Sequence, residues 1–521
     1  MKKSLYILLA SLLVSSFLNA QNLDDALRFN KRELTGTSRS LGMANAFGSL
    51  GGDLTGISIN PAGIAVYRTS EFAFTPSISL NQSKTNYMGL ADKDDKYAFP
   101  FNQVGGVATN KPMREKEKGL ISTHFGLTYT RTADFNENTS MFMGRGVQDY
   151  YDASGYPTQL NTLLNNIVWD ANGQAPESFK NREYFAYEAY LFDPVEEGSY
   201  EYFSQYEDID ADGYIFDRNV NGIDQYNIIE RSGYSGEYGL TFGANISHVL
   251  LLGASLNFQT YRFEQKESFR EVNNNSFVPS GPEDVDYFDA YNKLSQKGFG
   301  VNGKFGLIVN LFPIRLGASF HTPTFYNIDE KFNKGISSYF IDYRSFDKPF
   351  EHGEFSYDYR TPYRAQGSIS MILGKFGLLS FDYEMTDHTS SKFSSSRFAT
   401  NIKDANEAIK TTMKVTHDFK AGLEIKPVPY LAIRAGAAYF DSPIKKEFID
   451  QELTKWMATG GIGVRSKNFF FDVAYAYKFN KDNYYIDTVS DLSLLHGLSF
   501  TDPVAQEYRN HQASFTFGWK F

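Results

Sequence analysis

From Gln512 to Phe521 apolar and polar side chains alternate without a break. Ala513, Phe515, Phe517, Trp519 and Phe521 fall on one face, and Gln512, Ser514, Thr516, Gly518 and Lys520 fall on the other. A period of two marks a strand with one apolar face. The pattern recurs in Phe72, Phe74, Ile78 and Leu80, in Ile121 to Tyr129, in Tyr234 to Ile246, in Leu250 to Phe258 and in Phe299 to Leu311. It continues through Ile314 to Phe320, Tyr363 to Met371, Leu379 to Met385, Val415 to Ile425, Leu431 to Tyr439, Trp456 to Val464 and Phe469 to Tyr477, with a weaker run near Phe101 to Ala108. The pattern predicts about fourteen strands of roughly 10 to 13 residues, the length a tilted membrane strand needs.

The faces opposite the aromatic rows carry Gly, Ser, Thr, Asn and charge, including Lys304, Arg315, Asp382, Glu384, Asp418, Lys420, Glu424, Arg434, Arg465 and Asp472. So many aromatic faces exceed what one small soluble core can bury, so the predicted fold is all-β, a transmembrane antiparallel barrel with apolar residues out and polar residues in. The connections agree. Tight turns at His248, Phe312-Pro313, Gly374-Lys375, Pro427-Val428-Pro429 and Ser466-Lys467 alternate with longer stretches at 264–297, 327–359, 387–413 and 480–509. Short periplasmic turns and long outer loops are the asymmetry of outer-membrane barrels, and both termini then fall on the periplasmic side. The terminal Phe521 behind alternating aromatics resembles the C-terminal signal of such barrels.

Residues 133–232 read as one large extracellular insertion, far above ordinary loop length. Within it Leu160, Leu163, Leu164, Ile167 and Val168 follow helical spacing, with Trp169 next. That helix either packs on the barrel mouth or forms a hydrophobic landing groove for ligand.

Composition narrows the function classes. Lys2 and Lys3 precede an apolar run from Leu5 to Leu18, and Ala20 precedes Gln21, so residues 1–20 read as a signal peptide. No later run reaches the roughly 18 apolar residues of a membrane helix. The absence of cysteine excludes disulfides and thiol chemistry, and a net charge of -10 argues against a nucleic-acid partner. The barrel, residues 71–521, places the chain in the bacterial outer membrane as a multi-pass protein, with outer-membrane lipid, lipopolysaccharide and the barrel-assembly machinery as partners.

Residues 21–70 do not alternate and are rich in glycine: Gly36, Gly42, Gly48, Gly51, Gly52, Gly56 and Gly63. Irregular backbone at membrane depth needs a polar interior, so the segment reads as a plug within the lumen. Its run GTSRSLGMANAFGSLGGDLTGISINPAGIAVY, residues 36–67, resembles the N-terminal hatch of the FadL family, the outer-membrane channels for long-chain fatty acids and hydrocarbons. The resemblance lies in Arg39, Gly42, Ala46-Phe47, Asp53 and, above all, Asn60-Pro61-Ala62 just before the first strand. It implies a fourteen-stranded barrel with the hatch inside. It also implies passive uptake of a hydrophobic compound by loop capture, lumenal binding and hatch-gated lateral exit near the third strand. Gly105, Gly106 and Gly126 are candidates for a kink at such a gate, against ordinary barrel curvature.

The remaining constellations are weighed against plainer readings. Asp208, Asp210, Asp212 and Gly213 begin a calcium-loop pattern, but Asn219 stands where the bidentate Glu belongs. No cofactor is required, and calcium would only brace this loop. Gly298, Gly300 and Gly303 spell GxGxxG inside a strand, with no helix behind it. His124 and His321 face inward as wall residues. Arg315 and Arg434 face inward too and could meet a ligand carboxylate, or pair with Asp382, Glu384, Asp418 or Glu424. An enzyme is not indicated, since a barrel hydrolase needs adjacent Ser and His on the lipid face. The alternative function is that of a shuttle or scaffold barrel of the same family, its loops holding a secreted protein client.

Overall fold

The computed structural model of the chain describes residues 23–87, 89–112, 118–146, 163–179, 182–209, 215–217, 223–273, 285–395, 399–448, 453–484 and 504–521. The leader, residues 1–20, lies outside the described residues. After a first helix α1 (Leu23–Asn30), two short helices, α2 (Ser38–Leu41) and α3 (Leu54–Ile59), and a 3-10 turn (Pro61–Val66), the chain enters the wall. The wall comprises β1 (Glu71–Tyr87), β2 (Leu90–Ala98), β3 (Phe101–Asn110), β4 (Leu120–Asp134) and β5 (Glu137–Gly146). An outer cap follows, with helices α4 (Leu163–Ala171) and α5 (Arg182–Glu188) and two small ribbons, β6 (Phe192–Pro194) with β7 (Tyr202–Ser204) and β8 (Glu207–Ile209) with β9 (Ile215–Asp217).

The wall resumes with β10 (Ile223–Ile246), β11 (Leu250–Asn273), β12 (Val285–Leu311), β13 (Ile314–His321), β14 (Phe325–Phe340), β15 (Ser345–Arg360), β16 (Arg364–Ile372), β17 (Gly377–Asp387) and β18 (Lys392–Ser394). Helix α6 (Ala399–Thr412) precedes β19 (Val415–Val428), β20 (Leu431–Phe440), β21 (Lys455–Arg465), β22 (Phe469–Tyr484) and β23 (Val504–Lys520). Five wall strands are interrupted: β2 runs into β3, β4 into β5, β13 into β14, β15 into β16 and β17 into β18. The wall therefore has fourteen strands, all antiparallel, and it closes where β1 pairs with β23 from Glu71↔Lys520 to Asn86↔Ala505. Closure leaves no free edge within the bilayer.

Side-chain polarity is inverted relative to a soluble barrel. Phe305 on β12 is 56% exposed while its neighbour Lys304 is 0% exposed. Phe125, Leu127, Phe242, Leu256, Phe299, Phe381, Phe419 and Ile462 all point outward, whereas Glu237, Asp382, Glu424, Arg434 and Asp472 are buried inside. Rings pack against one another around the periplasmic rim at Phe72, Phe74, Phe517, Trp519 and Phe469. A second belt runs through Tyr383, His417, Tyr439, Trp456, Tyr475 and His511. Aromatic girdles of this kind bound the apolar band of outer-membrane barrels.

The strands are longer than their alternation predicts. β11 has 24 residues and β12 has 27. The stretches 264–297 and 327–359, expected as loops, are for the most part continued strand: β11 and β12 pair up to Val272↔Tyr287, and β14 and β15 up to Tyr339↔Ser345. The reason is visible along β11. Its outward row runs Leu252, Ala254, Leu256 and Phe258 and then turns to Arg262, Glu264 and Lys266, while aromatics move to the inward row at Tyr261, Phe263 and Phe269. The wall has left the bilayer there, and the phase of the alternation flips. Likewise the ends of 133–232 are wall, because β5 pairs with β10 from Glu137↔Arg231 to Gly146↔Ile223.

Candidate functional site

The N-terminal segment lies inside the barrel. A side chain added at the inward-facing wall glycines Gly243, Gly253, Gly306, Gly317, Gly422 or Gly436 would strike Ile64, Pro61, Asn60, Gly48, Met43 and Ala44 respectively. The wall glycines thus trace the footprint of residues 43–64. Asn60 explains its own place in the motif. Its Oδ1 accepts from Ala62 N (3.0 Å), capping the 3-10 turn, while its Nδ2 donates to Gly48 O (2.6 Å), Leu307 O (3.2 Å) and Ala318 O (3.3 Å). Pro61 occupies the first turn position, where no amide donor is needed, and Ala62 is small because it lies against Gly253 and Gly306.

Gly105, Gly106 and Gly126, named above as kink candidates, lie in an unbroken ladder from Gln103↔Thr130 to Asn110↔Thr123. Gly126 instead makes room for Ile64, whose Cδ1 would be 2.9 Å from an added Cβ. The irregularities are elsewhere. The second wall strand breaks at Phe99-Pro100, β1 shifts register between Thr75 and Pro76, and β2 pairs with β1 but not with β4 or β5 among the described residues. β4 carries a bulge at Thr132, opposite the Ser235/Gly236 step. The carbonyls at that bulge hold the N-terminal segment: Glu33 N donates to Thr132 O (2.9 Å), and Thr35 Oγ1 donates to Arg131 O.

Charge inside the wall is paired. Arg434 donates to Glu424 (2.7 Å) and Asp472 (2.6 Å), and Arg39 of the N-terminal segment reaches the same Glu424 at 3.2 Å. Arg434 is therefore bound by two wall carboxylates. Arg315 donates to Leu50 O (2.9 Å) and Asn310 Oδ1 (3.2 Å). Lys304 pairs with Glu237 and donates to Ser58 O (2.9 Å), Lys420 pairs with Glu384 (2.8 Å), and Asp382 accepts from Gly48 N (2.8 Å) and Gln366 Nε2 (2.8 Å). His124 bonds Thr109 and Ser122, and His321 bonds Ile59 O, all within wall or segment.

Above this polar belt the interior becomes aromatic. Tyr261, Phe263, Tyr326, Ile328, Tyr357, Tyr359 and Phe393 surround Ala26 and Phe29 of α1, and Ile402, Ala405 and Ile409 of α6 cover them from outside. Phe29 lies 4.9 Å from the rings of both Tyr261 and Tyr359. Helix α1 is tied in by Gln296, whose Nε2 donates to Asp25 (3.0 Å) and Glu330 (2.7 Å), with Tyr357 OH donating to Glu330 (2.8 Å). Glu330 stands beyond the membrane, beside the outward-facing Asp329 and Lys331. Burial first, and then the field of Asp25, push its carboxyl up to about 8.

No family model and no curated protein matches the sequence. Among solved structures, a FadL homologue of Pseudomonas aeruginosa superposes with a TM-score of 0.52 at 13% identity, over 94% of this chain and 99% of that one. The fold is that of a FadL-type barrel. Toluene transporters of Pseudomonas putida (TM-score 0.48, 12% identity, 94% and 99% covered) and Ralstonia pickettii (0.46, 11%, 94% and 99%) are also similar.

The outer end of this FadL-type barrel is covered by the cap. Leu163, Leu164, Ile167 and Val168 of α4 are buried in one cluster with Phe192, Tyr202, Phe269 and Phe288, while Trp169 is 66% exposed. The apolar face of α4 is thus filled by the chain itself. Glu271 accepts from Leu163 N and Leu164 N at the start of that helix, and burial pushes its carboxyl up to about 7. Leu160, Asp210 and Asp212 lie outside the described residues, and Asp208 falls in β8. Among the described residues no cluster of His, Asp or Glu could hold a metal ion.

Sequence reasoning missed α1, Gln296 and Glu330. The signal for α1 was present in Asp24 and Asp25 at the first turn and Ala26 and Phe29 one turn apart. Gln296 and Glu330 carry none, because their role depends on which strands meet.

Proposed function

We propose that this protein is an outer-membrane channel for passive uptake of hydrophobic small molecules. Residues 23–70 act as its hatch, with Asn60, Pro61 and Ala62 as the fastening. The observation that carries this reading is the aromatic interior above the polar belt. A water-filled pore for ions has a polar lumen, whereas burying apolar surface against Tyr261, Tyr326, Tyr357, Tyr359 and Phe393 favours a hydrophobic guest by about 25 cal/mol per Å². In this reading Phe29 occupies the guest's place when the channel is empty, and α1 must leave for the guest to enter. The guest passes down to the hatch and leaves sideways through the wall near Phe99-Pro100. No chemistry and no energy source are needed.

The test is uptake by cells whose outer membrane contains this protein and no other hydrophobic-compound channel. Radiolabelled palmitate or decane should enter faster than in cells without it, with no rise in small-ion permeability. Unchanged entry of both compounds would refute the proposal.

A further inference from the structure

On β22, β23, β1 and β2 the outward side chains stand in rows that the strand pairing fixes. The top of the apolar band is the row Tyr477, His511, Leu80 and Tyr97, each residue opposite the next. Two residues higher along the strands come Phe479, Arg509, Gln82 and Asp95, and two higher again Lys481, Glu507, Lys84 and Lys93. The row above that, Asn483, Ala505, Asn86 and Ala91, has no charge. At a rise of about 3.4 Å per residue and a tilt of about 40°, the two charged rows stand roughly 5 and 10 Å above the apolar band, where the head groups of the outer leaflet lie.

These two rows hold four cations, Lys84, Lys93, Lys481 and Arg509, against two carboxylates, Glu507 and Asp95, in a chain whose net charge is -10. All four cations are exposed. The carboxylates are taken up by the other three. Glu507 meets Lys481 with one oxygen (3.0 Å) and Arg509 with the other (3.1 Å), and Asp95 meets Lys93 (3.7 Å) and accepts from Gln82 Nε2 (3.1 Å). Asp92 and Asp94 project from the opposite face of β2, where Asp92 accepts from Ser140 Oγ (2.6 Å). Lys84 makes no ion pair or hydrogen bond among the described residues, and it stands directly opposite Lys93. Like charges opposed across a strand pair destabilise a sheet, and an anion between them removes that cost.

We propose that this outer face of the wall is a binding site for the phosphorylated head of an outer-leaflet glycolipid of the lipopolysaccharide class. The occupant follows from the place. The rows face the leaflet, so acyl chains lie beside Tyr97, Leu80 and Tyr477, and the phosphate comes level with Lys84, Lys93 and Arg509. Neighbouring phosphates in such a leaflet repel one another and need counter-cations. Here ammonium and guanidinium groups supply them, and Arg509 offers a phosphate two parallel donors. The site lies on the outside of the wall and is independent of what passes through the lumen.

The test titrates the full-length protein in dodecyl maltoside with two lipids that share their acyl chains: diphosphoryl lipid A, and the same lipid A with both phosphates removed. EDTA is present so that no divalent ion bridges, and bound lipid is counted by native mass spectrometry. The phosphorylated lipid should bind tighter by about tenfold, the worth of a few exposed ion pairs. The double variant Lys84→Gln/Arg509→Gln should erase that preference and leave binding of the dephosphorylated lipid as it was. That unchanged binding, with retained heat-modified mobility on gels, reports a folded variant. Lys331→Gln, on β14, where Lys331 meets Glu354 (2.5 Å), should keep the preference. Equal affinities for the two lipids, or a preference that survives the double variant, would overturn the assignment. So would loss of the preference when inorganic phosphate is added at the lipid's own concentration, which would mark a site for free anions only.

Discussion

An inward-facing glycine on a barrel wall marks a place where something must come close. Gly253, Gly306 and Gly436 admit Pro61, Asn60 and Ala44. Gly306→Ala should therefore unseat the N-terminal segment without unfolding the wall, since overpacking costs typically 1–3 kcal/mol. Single-channel recordings should reveal new ion conductance, while the heat-modified mobility of the folded barrel on gels is retained. A silent Gly306→Ala channel would show that the contact is not tight. Asn60→Ala removes a cap, one contact within the segment and two contacts to the wall, and should act in the same direction. At this scale the sequence was partly legible. Asn60-Pro61-Ala62 could be picked out because a turn, a cap and a small residue coincide. Gly126 could be offered only as a kink candidate against ordinary curvature, because sequence cannot say that Ile64 lies against it. Phe29 is legible only as a helical spacing with Ala26; that it meets Tyr261 and Tyr359 is not, since those rings lie hundreds of residues away.

Elements were legible where one solvent bathed one face. Within the bilayer the outward rows of β11, β12 and β17 are apolar and the inward rows polar, and alternation located these strands. Past Phe258 on β11 the outside meets water and the inside holds Tyr261 and Phe263, so the pattern inverts and the strands read as loops. The helix α1 was missed for a related reason: it is one short turn-pair whose apolar side is satisfied by the wall. Its docking is expected to depend on pH through Glu330. A carboxyl whose pKa is raised to about 8 when α1 is docked adds docking stability below its free value of 4.5, and loses it as pH rises through 8. The groups facing Glu330 are Asp25 and Arg28 of α1, Tyr357 and Tyr261. Amide exchange within residues 23–30, corrected for its intrinsic pH dependence, should become faster from pH 5 to pH 9, and Glu330→Gln should flatten that rise. Protection that grows with pH would reverse the assignment. Phe29→Ala should loosen the same helix by roughly 3–5 kcal/mol of lost packing, read in the same exchange experiment.

The whole molecule is a cylinder whose wall and occupant share one charge network. Arg434 holds Glu424 and Asp472 of the wall, and Arg39 of the occupant shares Glu424. Removing Arg434 leaves buried Asp472 without its cation, while Glu424 keeps Arg39 and Lys426, so Arg434→Gln should lower stability by about 3–5 kcal/mol, seen as an earlier urea midpoint. Equal midpoints would mean that water enters the network freely. Architecture and polarity were both present in the chain, because the inversion of inside and outside repeats fourteen times. The occupant's seating was not, because it depends on side chains hundreds of residues apart, as in Ser38 Oγ against Ser514 Oγ at 3.0 Å.

That last contact offers the most direct test of the account. The chain has no cysteine, so Ser38→Cys with Ser514→Cys introduces a single pair, one member on the N-terminal segment and one on β23. If the hatch rests in the lumen and must shift to let a compound through, the pair forms a disulfide under mild oxidation, uptake of labelled palmitate falls to the level of cells without the protein, and reduction restores it. Uptake that continues undiminished through the oxidised, cross-linked protein would contradict a hatch that gates the channel.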